Sequence, residues 1–112
     1  MLDLKADPIG YVTNNPALWT DEEADKMFVV TANGNGMINA GIHDRDMLFF
    51  CISDTYNNGD IVAVNVNGES VVRRLFKEAD GVRLRREIGC GEDTYATEYD
   101  ILGRLVGIQR KM

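Results

Sequence analysis

A short segment at residues 31–48, TANGNGMINAGIHDRDML, has the residue types of a turn that presents a catalytic side chain. Glycines and small residues allow a tight turn, and such a turn exposes its central side chain while backbone N–H groups face an oxyanion. The central position here is Gly36, which has no hydroxyl group. The serines of the chain, Ser53 and Ser70, lie outside this turn and have no adjacent base. The segment therefore predicts a platform for nucleophilic chemistry that lacks its nucleophile.

Other reactive residues are few. Cys51 and Cys90 lack the spacing of a metal or redox motif, and Cys51 lies in the apolar run LFFCIS, which favours a small buried core residue. His43, beside Asp44 and Asp46, is the one histidine in the sequence. These three residues either form an exposed loop or hold a divalent ion, and we expect the loop. We expect no metal and no cofactor.

Charge and hydropathy limit the class of protein. The chain has 112 residues and a net charge of −6, which argues against binding nucleic acid over its whole surface. Its first residues, MLDLKADPIG, do not have the basic and apolar pattern of a secretory signal, and its longest apolar run is too short to cross a bilayer. We expect one cytoplasmic domain without a membrane segment.

Cations are concentrated at residues 70–87, where six basic residues accompany three acidic ones. A basic hairpin of this kind is either a solvated surface or a contact for a polyanion, and we favour the solvated surface.

The hydrophobic pattern along the chain has mostly period two, which is typical of strands. Asn67-Gly68 separates two alternating segments and is the dipeptide best suited to a type I′ hairpin turn. Asp80-Gly81 predicts a second turn, so that three strands follow one another as a meander. MFVVTA and MLFFCIS predict two buried strands, and YDILGRLVGIQR predicts a last strand with a bend or bulge at Gly103 and Gly107.

Helical signals are short. Thr20 and Glu23 form a capping-box pattern for one or two turns, and GMINAG predicts a single turn that ends at Gly41. Residues 1–19 contain the prolines and several turn formers, so we expect an extended arm there and a core domain at residues 20–112. The sequence predicts a mainly β fold with one or two short helices and no DNA-reading helix.

Over residues 9–110 the sequence resembles the C-terminal domains of LexA, UmuD and lambda-type phage repressors, which are self-cleaving serine–lysine peptidases. The resemblance rests on five fragments in the family's order, GNGM, GIHDRDML, NNGDIVAV, SVVRRL and GRLVGIQR, at residues 34–37, 41–48, 57–64, 70–75 and 103–110. It implies a mainly β, bent-sheet or barrel-like fold.

The same resemblance places the family's nucleophilic serine at Gly36 and its general-base lysine at Arg73. Arginine stays protonated and has no lone pair to accept a proton, so neither half of the dyad is intact. Lys77 lies at the strand parity of Arg73 and is expected to share its face. The family's cleaved bond, in the arm before the core, falls at Asn14-Asn15, followed by Pro16.

The resemblance also implies self-association through the last strand. Its apolar residues either contact a partner copy or are buried within one chain; they are Ile101, Leu102, Leu105, Val106 and Ile108. The resulting hypothesis is a non-catalytic dimerisation or regulatory module of a phage- or SOS-type transcriptional repressor. In this hypothesis the module forms a homodimer and reaches DNA only through a separate helix-turn-helix module. The alternative is a self-cleaving serine–lysine peptidase in an inactivated form.

Overall fold

The computed structural model describes residues 26–110, which form one antiparallel sheet. Its strands are β1 (Met27–Thr31), β2 (Met47–Cys51), β3 (Ile61–Val66), β4 (Glu69–Glu78), β5 (Gly81–Arg86), β6 (Glu92–Ala96) and β7 (Asp100–Gln109), with a short 3-10 helix at Ile38–Ala40. Across the sheet the order is β1-β2-β7-β3-β4-β5-β6. The predicted mainly β class is confirmed. In the described residues no helix is long and apolar enough to span a membrane.

Turn chemistry sets the central hairpins. Asn67 and Gly68 both have positive φ, 56° and 79°, as a type I′ turn requires, and they join β3 to β4 as predicted. The second predicted turn joins β4 to β5, where Gly81 pairs with Glu78. The predicted single turn also forms, because Gly41 caps the 3-10 helix with φ 85°.

The last strand, β7, lies in the middle of the sheet and pairs with β2 on one side and β3 on the other. The register shifts once in each ladder, at Val106 beside Gly107 and at Leu102 beside Gly103. These shifts are the bulges that the two glycines predicted. Gly103 is also needed for packing, since a Cβ there would lie 2.8 Å from the Phe28 ring.

The core divides into two apolar clusters. One lies between β3, β4 and β5 around Val62, Val64 and Leu75, and the other lies between β2, β3 and the 3-10 helix around Leu48 and Phe50. The predicted burial of Cys51 is confirmed. The second cluster places the glycine turn at residues 34–36 against the sheet, because Met37, directly after the turn, is buried in it.

Strand β6 was not predicted. Four of its five residues are exposed and it forms an edge of the sheet, so its sequence lacks the apolar alternation that identified the other strands. The predicted helix start at Thr20 and the arm at residues 1–19 lie outside the described residues.

Candidate functional site: a cleft at the glycine turn

Hydrogen bonds from the following loop hold the glycine turn. Gly34 has φ 91°, and its N–H donates to Asp44 Oδ1 at 2.6 Å. In return, the Asp44 N–H donates to Asn35 Oδ1 at 3.0 Å. These reciprocal bonds close the loop at residues 34–44, which contains the short 3-10 helix. Asp44 is therefore a structural part of the turn.

A buried ion pair anchors the same loop to the end of the sheet. Asp46 is 1% exposed, and Arg110 donates to both of its oxygens, from Nε at 2.9 Å and from Nη2 at 2.8 Å. The His43 N–H donates to Asp46 Oδ2 at 2.7 Å. Burial by itself raises the pKa of Asp46, but the bonds from Arg110 and His43 outweigh it and hold the pKa below its ordinary value. This pair links two of the sequence fragments that carry the family resemblance.

The end of β5 packs against the other side of the turn. The Asn39 N–H donates to the Glu87 carbonyl at 2.8 Å, and Asn39 Nδ2 donates to the Gly89 carbonyl at 2.9 Å. The Glu87 side chain pairs with Arg74 on β4. Residues after β5 are therefore fixed beside the 3-10 helix, and Arg86 lies next to the glycine turn.

A cleft of about 880 Å³ opens between the glycine turn and the sheet. Gly36 and Arg73, the two positions singled out in the sequence, both line it. Apolar side chains supply much of its remaining wall, among them Phe28, Val30, Leu48, Ala63 and Leu102. The fold thus brings the two positions that the resemblance assigns to the dyad to one cavity, although 37 positions separate them in the sequence.

Arg86 is the cleft residue that the sequence did not single out. A Cβ built on Gly36 would lie 3.3 Å from Arg86 Nη2 and 3.4 Å from Nε, and its three nearest heavy atoms all belong to Arg86. Arg86 Nη1 donates to Glu92 Oε1 on β6 at 2.8 Å. A guanidinium therefore lies directly over the position where a serine side chain would begin. In sequence, Arg86 was one of several basic residues in the hairpin, and nothing local distinguished it.

Arg73 is half-buried and donates from Nη1 to its neighbour's carbonyl, Val72 O, at 2.7 Å. Burial lowers the pKa of Arg73 and the nearby Arg86 adds to this, whereas Glu69 and Glu92 oppose it. Among residues 26–110 no carboxylate forms an ion pair with Arg73. It remains a cation, because a guanidinium does not lose its proton in proteins.

Among the described residues, Thr31 and Ser70 bring hydroxyl groups to the lining of the cleft. Ser70 Oγ accepts a bond from Asn65 Nδ2 at 3.4 Å. Within the described chain no lysine or histidine lines the cleft, so neither hydroxyl has an amine or imidazole base beside it there. Lys77 shares the parity of Arg73 but lines a different hollow, with Asp54 and Asp80. Four residues of strand separate the two side chains by about 13 Å.

The remaining sequence candidates have structural roles or stay untested. His43 is exposed, Asp46 is occupied by Arg110, and no metal-binding group of three ligands occurs in residues 26–110. The cleaved-bond positions Asn14 and Asn15 lie outside the described residues.

The basic hairpin is largely compensated by carboxylates. Arg83 and Arg85 both pair with Asp93 on β6, and both guanidiniums lie over the Phe76 ring, at 4.2 and 5.1 Å from its centroid. Paired cations at a surface favour the solvated-face interpretation over a polyanion contact.

The apolar residues of β7 are each half-buried. Ile101 packs against the first cluster, whereas Leu102, Leu105 and Ile108 pack against the second. Both hydrogen-bonding edges of the strand are used within the sheet, so a partner copy can contact only the faces of β7.

Comparisons with known proteins agree with the resemblance seen in the sequence. The Peptidase S24-like family matches residues 4–106. A LexA repressor of Clostridium botulinum (strain Langeland) is 38% identical over 104 residues, which cover 93% of this chain and 47% of the relative. LexA repressors of Pelotomaculum thermopropionicum and Caldicellulosiruptor saccharolyticus are 40% and 36% identical over 78% and 76% of this chain, and over 43% and 42% of their own lengths. The chain spans about half the length of these curated relatives.

Proposed function

The chain belongs to the Peptidase S24-like family, and we propose that it is a non-catalytic member that serves as a dimerisation and regulatory module of a LexA-like transcriptional repressor of phage or SOS type. The observation that carries this proposal is the pair of guanidiniums in the cleft. Arg86 lies over Gly36, and Arg73, to which the resemblance assigns the position of the base, lines the same cleft.

Acyl transfer by a serine–lysine pair needs a hydroxyl that gives up its proton and a neutral amine that takes it. Gly36 supplies no oxygen, and a guanidinium at position 73 supplies no lone pair. Removal of either partner abolishes most of such a reaction, and removal of both leaves no covalent route. The cleft is therefore suited to binding and not to bond cleavage.

The regulatory half of the proposal is supported by the relatives. They are named as repressors, and the matched segment is only about half of each. We infer that DNA is reached through a separate helix-turn-helix module in the cytoplasm, and that this domain contributes self-association through the faces of β7. The five apolar residues proposed for that contact are Ile101, Leu102, Leu105, Val106 and Ile108.

Light scattering tests the self-association. At high micromolar concentration the molar mass should be twice the chain mass of 12.5 kDa. A mass that stays at the monomer value over that range would refute dimerisation, but it would not bear on the proposed loss of catalysis.

Mass spectrometry after incubation at alkaline pH tests the loss of catalysis. The unaltered chain should remain intact, because no neutral amine stands beside a hydroxyl in the described part of the cleft. Cleavage near Asn14-Asn15 in the unaltered chain would contradict the proposal.

The second candidate is a self-cleaving serine–lysine peptidase in an inactivated form. The intact turn favours it, since Asp44, Asn35 and the buried Asp46–Arg110 pair still hold the loop that would present a serine. The discriminating variant is Gly36→Ser with Arg73→Lys. A Cβ at position 36 would lie 3.3 Å from Arg86 Nη2. The matched variant therefore combines the same two substitutions with Arg86→Ala, which removes this contact. Cleavage near Asn14-Asn15 in either form supports an inactivated peptidase, whereas inertness in both supports long-standing degeneration.

A further inference from the structure

We propose that the cleft formed by the glycine turn, Arg73 and Arg86 is a binding site for a small organic carboxylate with an apolar body. This inference goes beyond the proposed function, since binding at the cleft requires neither dimerisation nor the absence of cleavage.

The donor geometry at Arg86 suits a carboxylate. Its Nη1 is used by Glu92, and the atoms that face Gly36 are Nε and Nη2. These two nitrogens form the side of a guanidinium that binds a carboxylate with two parallel hydrogen bonds. No acceptor among residues 26–110 engages either nitrogen. Gly36, lacking a side chain, leaves room for the Arg86 guanidinium beside the turn.

Charge counting limits the ligand to about one negative charge. Arg86 is already compensated by Glu92, whereas Arg73 has no carboxylate partner in the described chain. Glu69 also lines the cleft and acts on Arg73 electrostatically, but it forms no ion pair with it, so the Arg73 guanidinium still lacks a charged hydrogen-bond partner. The partial burial of Arg73 makes such a partner more valuable there than at the surface. A monoanionic carboxylate meets this requirement. A phosphate dianion or a nucleic acid brings more negative charge than the cleft offsets, and the chain as a whole carries −6.

The rest of the cleft is suited to an apolar body. Its volume of about 880 Å³ lies within the range of small-ligand sites, roughly 300–1,000 Å³. Phe28, Val30, Leu48 and Leu102 line it together with the two arginines. An apolar wall with a few convergent donors is the usual composition of a small-molecule site.

Octanoate is a suitable probe, and octanamide is its neutral match. Calorimetry with the whole chain should give saturable binding of octanoate with a Kd of about 1 mM or below, and binding of octanamide should be at least about tenfold weaker. In the ¹⁵N NMR spectrum, octanoate should shift the backbone amides of Gly34 and Gly36 and the Nε–H signal of Arg86.

Two variants test the donors. Arg73→Gln and Arg86→Gln should each weaken octanoate binding about tenfold or more, the loss expected when a charge-assisted hydrogen bond is removed. Arg104→Gln removes the same charge from β7 outside the cleft and should leave the Kd unchanged. The NMR shifts of the unaltered chain keep the test valid if a variant fails to fold.

Three results would overturn the site. They are no saturable binding of octanoate, equal binding of octanamide, and chemical-shift changes that lie away from the glycine turn. None of them bears on self-cleavage or on the molar mass, so failure here is distinguishable from failure of the proposed function.

Discussion

Replacement of Arg110 by glutamine removes the partner of the most buried charge in the described structure. Arg110 gives two hydrogen bonds to the Asp46 carboxylate and a third, from Nη2, to the Gly41 carbonyl at 2.8 Å. The variant leaves a carboxylate that is 1% exposed with one remaining bond from the chain, that of the His43 N–H.

Breaking a buried ion pair by removing one partner costs about 3–5 kcal/mol. The Arg110 side chain is 34% exposed, so solvent already screens part of its attraction to Asp46. The surviving bond from His43 also limits the penalty. We therefore expect Arg110→Gln to lower the free energy of unfolding at pH 7 by about 3 kcal/mol, the lower end of that range.

The loss of unfolding free energy caused by Arg110→Gln should become smaller as the pH falls. In the unaltered chain the pKa of Asp46 is lowered, so its ionisation stabilises the fold above the unfolded value of about 3.9, and this stability is lost as the pH falls through the lower folded pKa. Without Arg110, burial dominates and raises the pKa of Asp46, so the carboxyl takes up a proton more readily and the penalty shrinks. The difference between the two proteins should be largest at pH 7 and smaller at about pH 4.

Urea unfolding at both pH values measures the effect, with Arg104→Gln as the control for loss of one cation on β7. The control should change the free energy of unfolding by no more than about 0.5 kcal/mol. Adding Asp46→Asn to Arg110→Gln should lower the free energy of unfolding little further, because the double variant no longer has an unpaired carboxylate at position 46. A cost for Arg110→Gln below about 1 kcal/mol at pH 7, or an equal cost at both pH values, would refute this account of the anchor.

Three further substitutions test the fold by urea unfolding. Arg45→Gly should raise the free energy of unfolding by about 0.5–1 kcal/mol, because Arg45 is held at φ 72°, and a decrease would contradict this. Gly81→Ala should lower it by about 3 kcal/mol, since a Cβ would lie 2.2 Å from the Ala96 carbonyl oxygen; a neutral result would mean that β6 shifts at little cost. Leu75→Ala should also lower it by about 3 kcal/mol, because Leu75 is fully buried, and a loss below about 1 kcal/mol would place it outside the core.

Much of the strand architecture could be predicted from the sequence because it depends on local sterics. Asn67 and Gly68 tolerate positive φ, which fixes the β3–β4 turn and hence the register of the hairpin. Gly103 and Gly107 marked the two places where β7 changes register. Strand β6 escaped prediction because an exposed edge strand needs no apolar alternation.

The candidate site could be predicted only in part. Alignment with the family fragments placed Gly36 and Arg73 at the dyad positions, and the structure puts both in one cleft. Arg86 could not be found in this way, since its place over Gly36 depends on contacts between the end of β5 and the 3-10 helix, such as the bond from Asn39 to Glu87. Lys77 lines a different hollow from Arg73, because parity along a strand says nothing about distance along it.

The sequence by itself determined which atoms are present at the two positions that the resemblance assigns to the dyad: no oxygen at Gly36 and a permanently charged guanidinium at Arg73. Tertiary structure decided what surrounds them. The pairing of Asp46 with Arg110 joins residues 64 positions apart, and the compensation of Arg86 by Glu92 depends on the pairing of β5 with β6. Covalent identity fixes which proton transfers are possible, whereas the burial and pairing of a charge depend on segments that meet only when the chain folds.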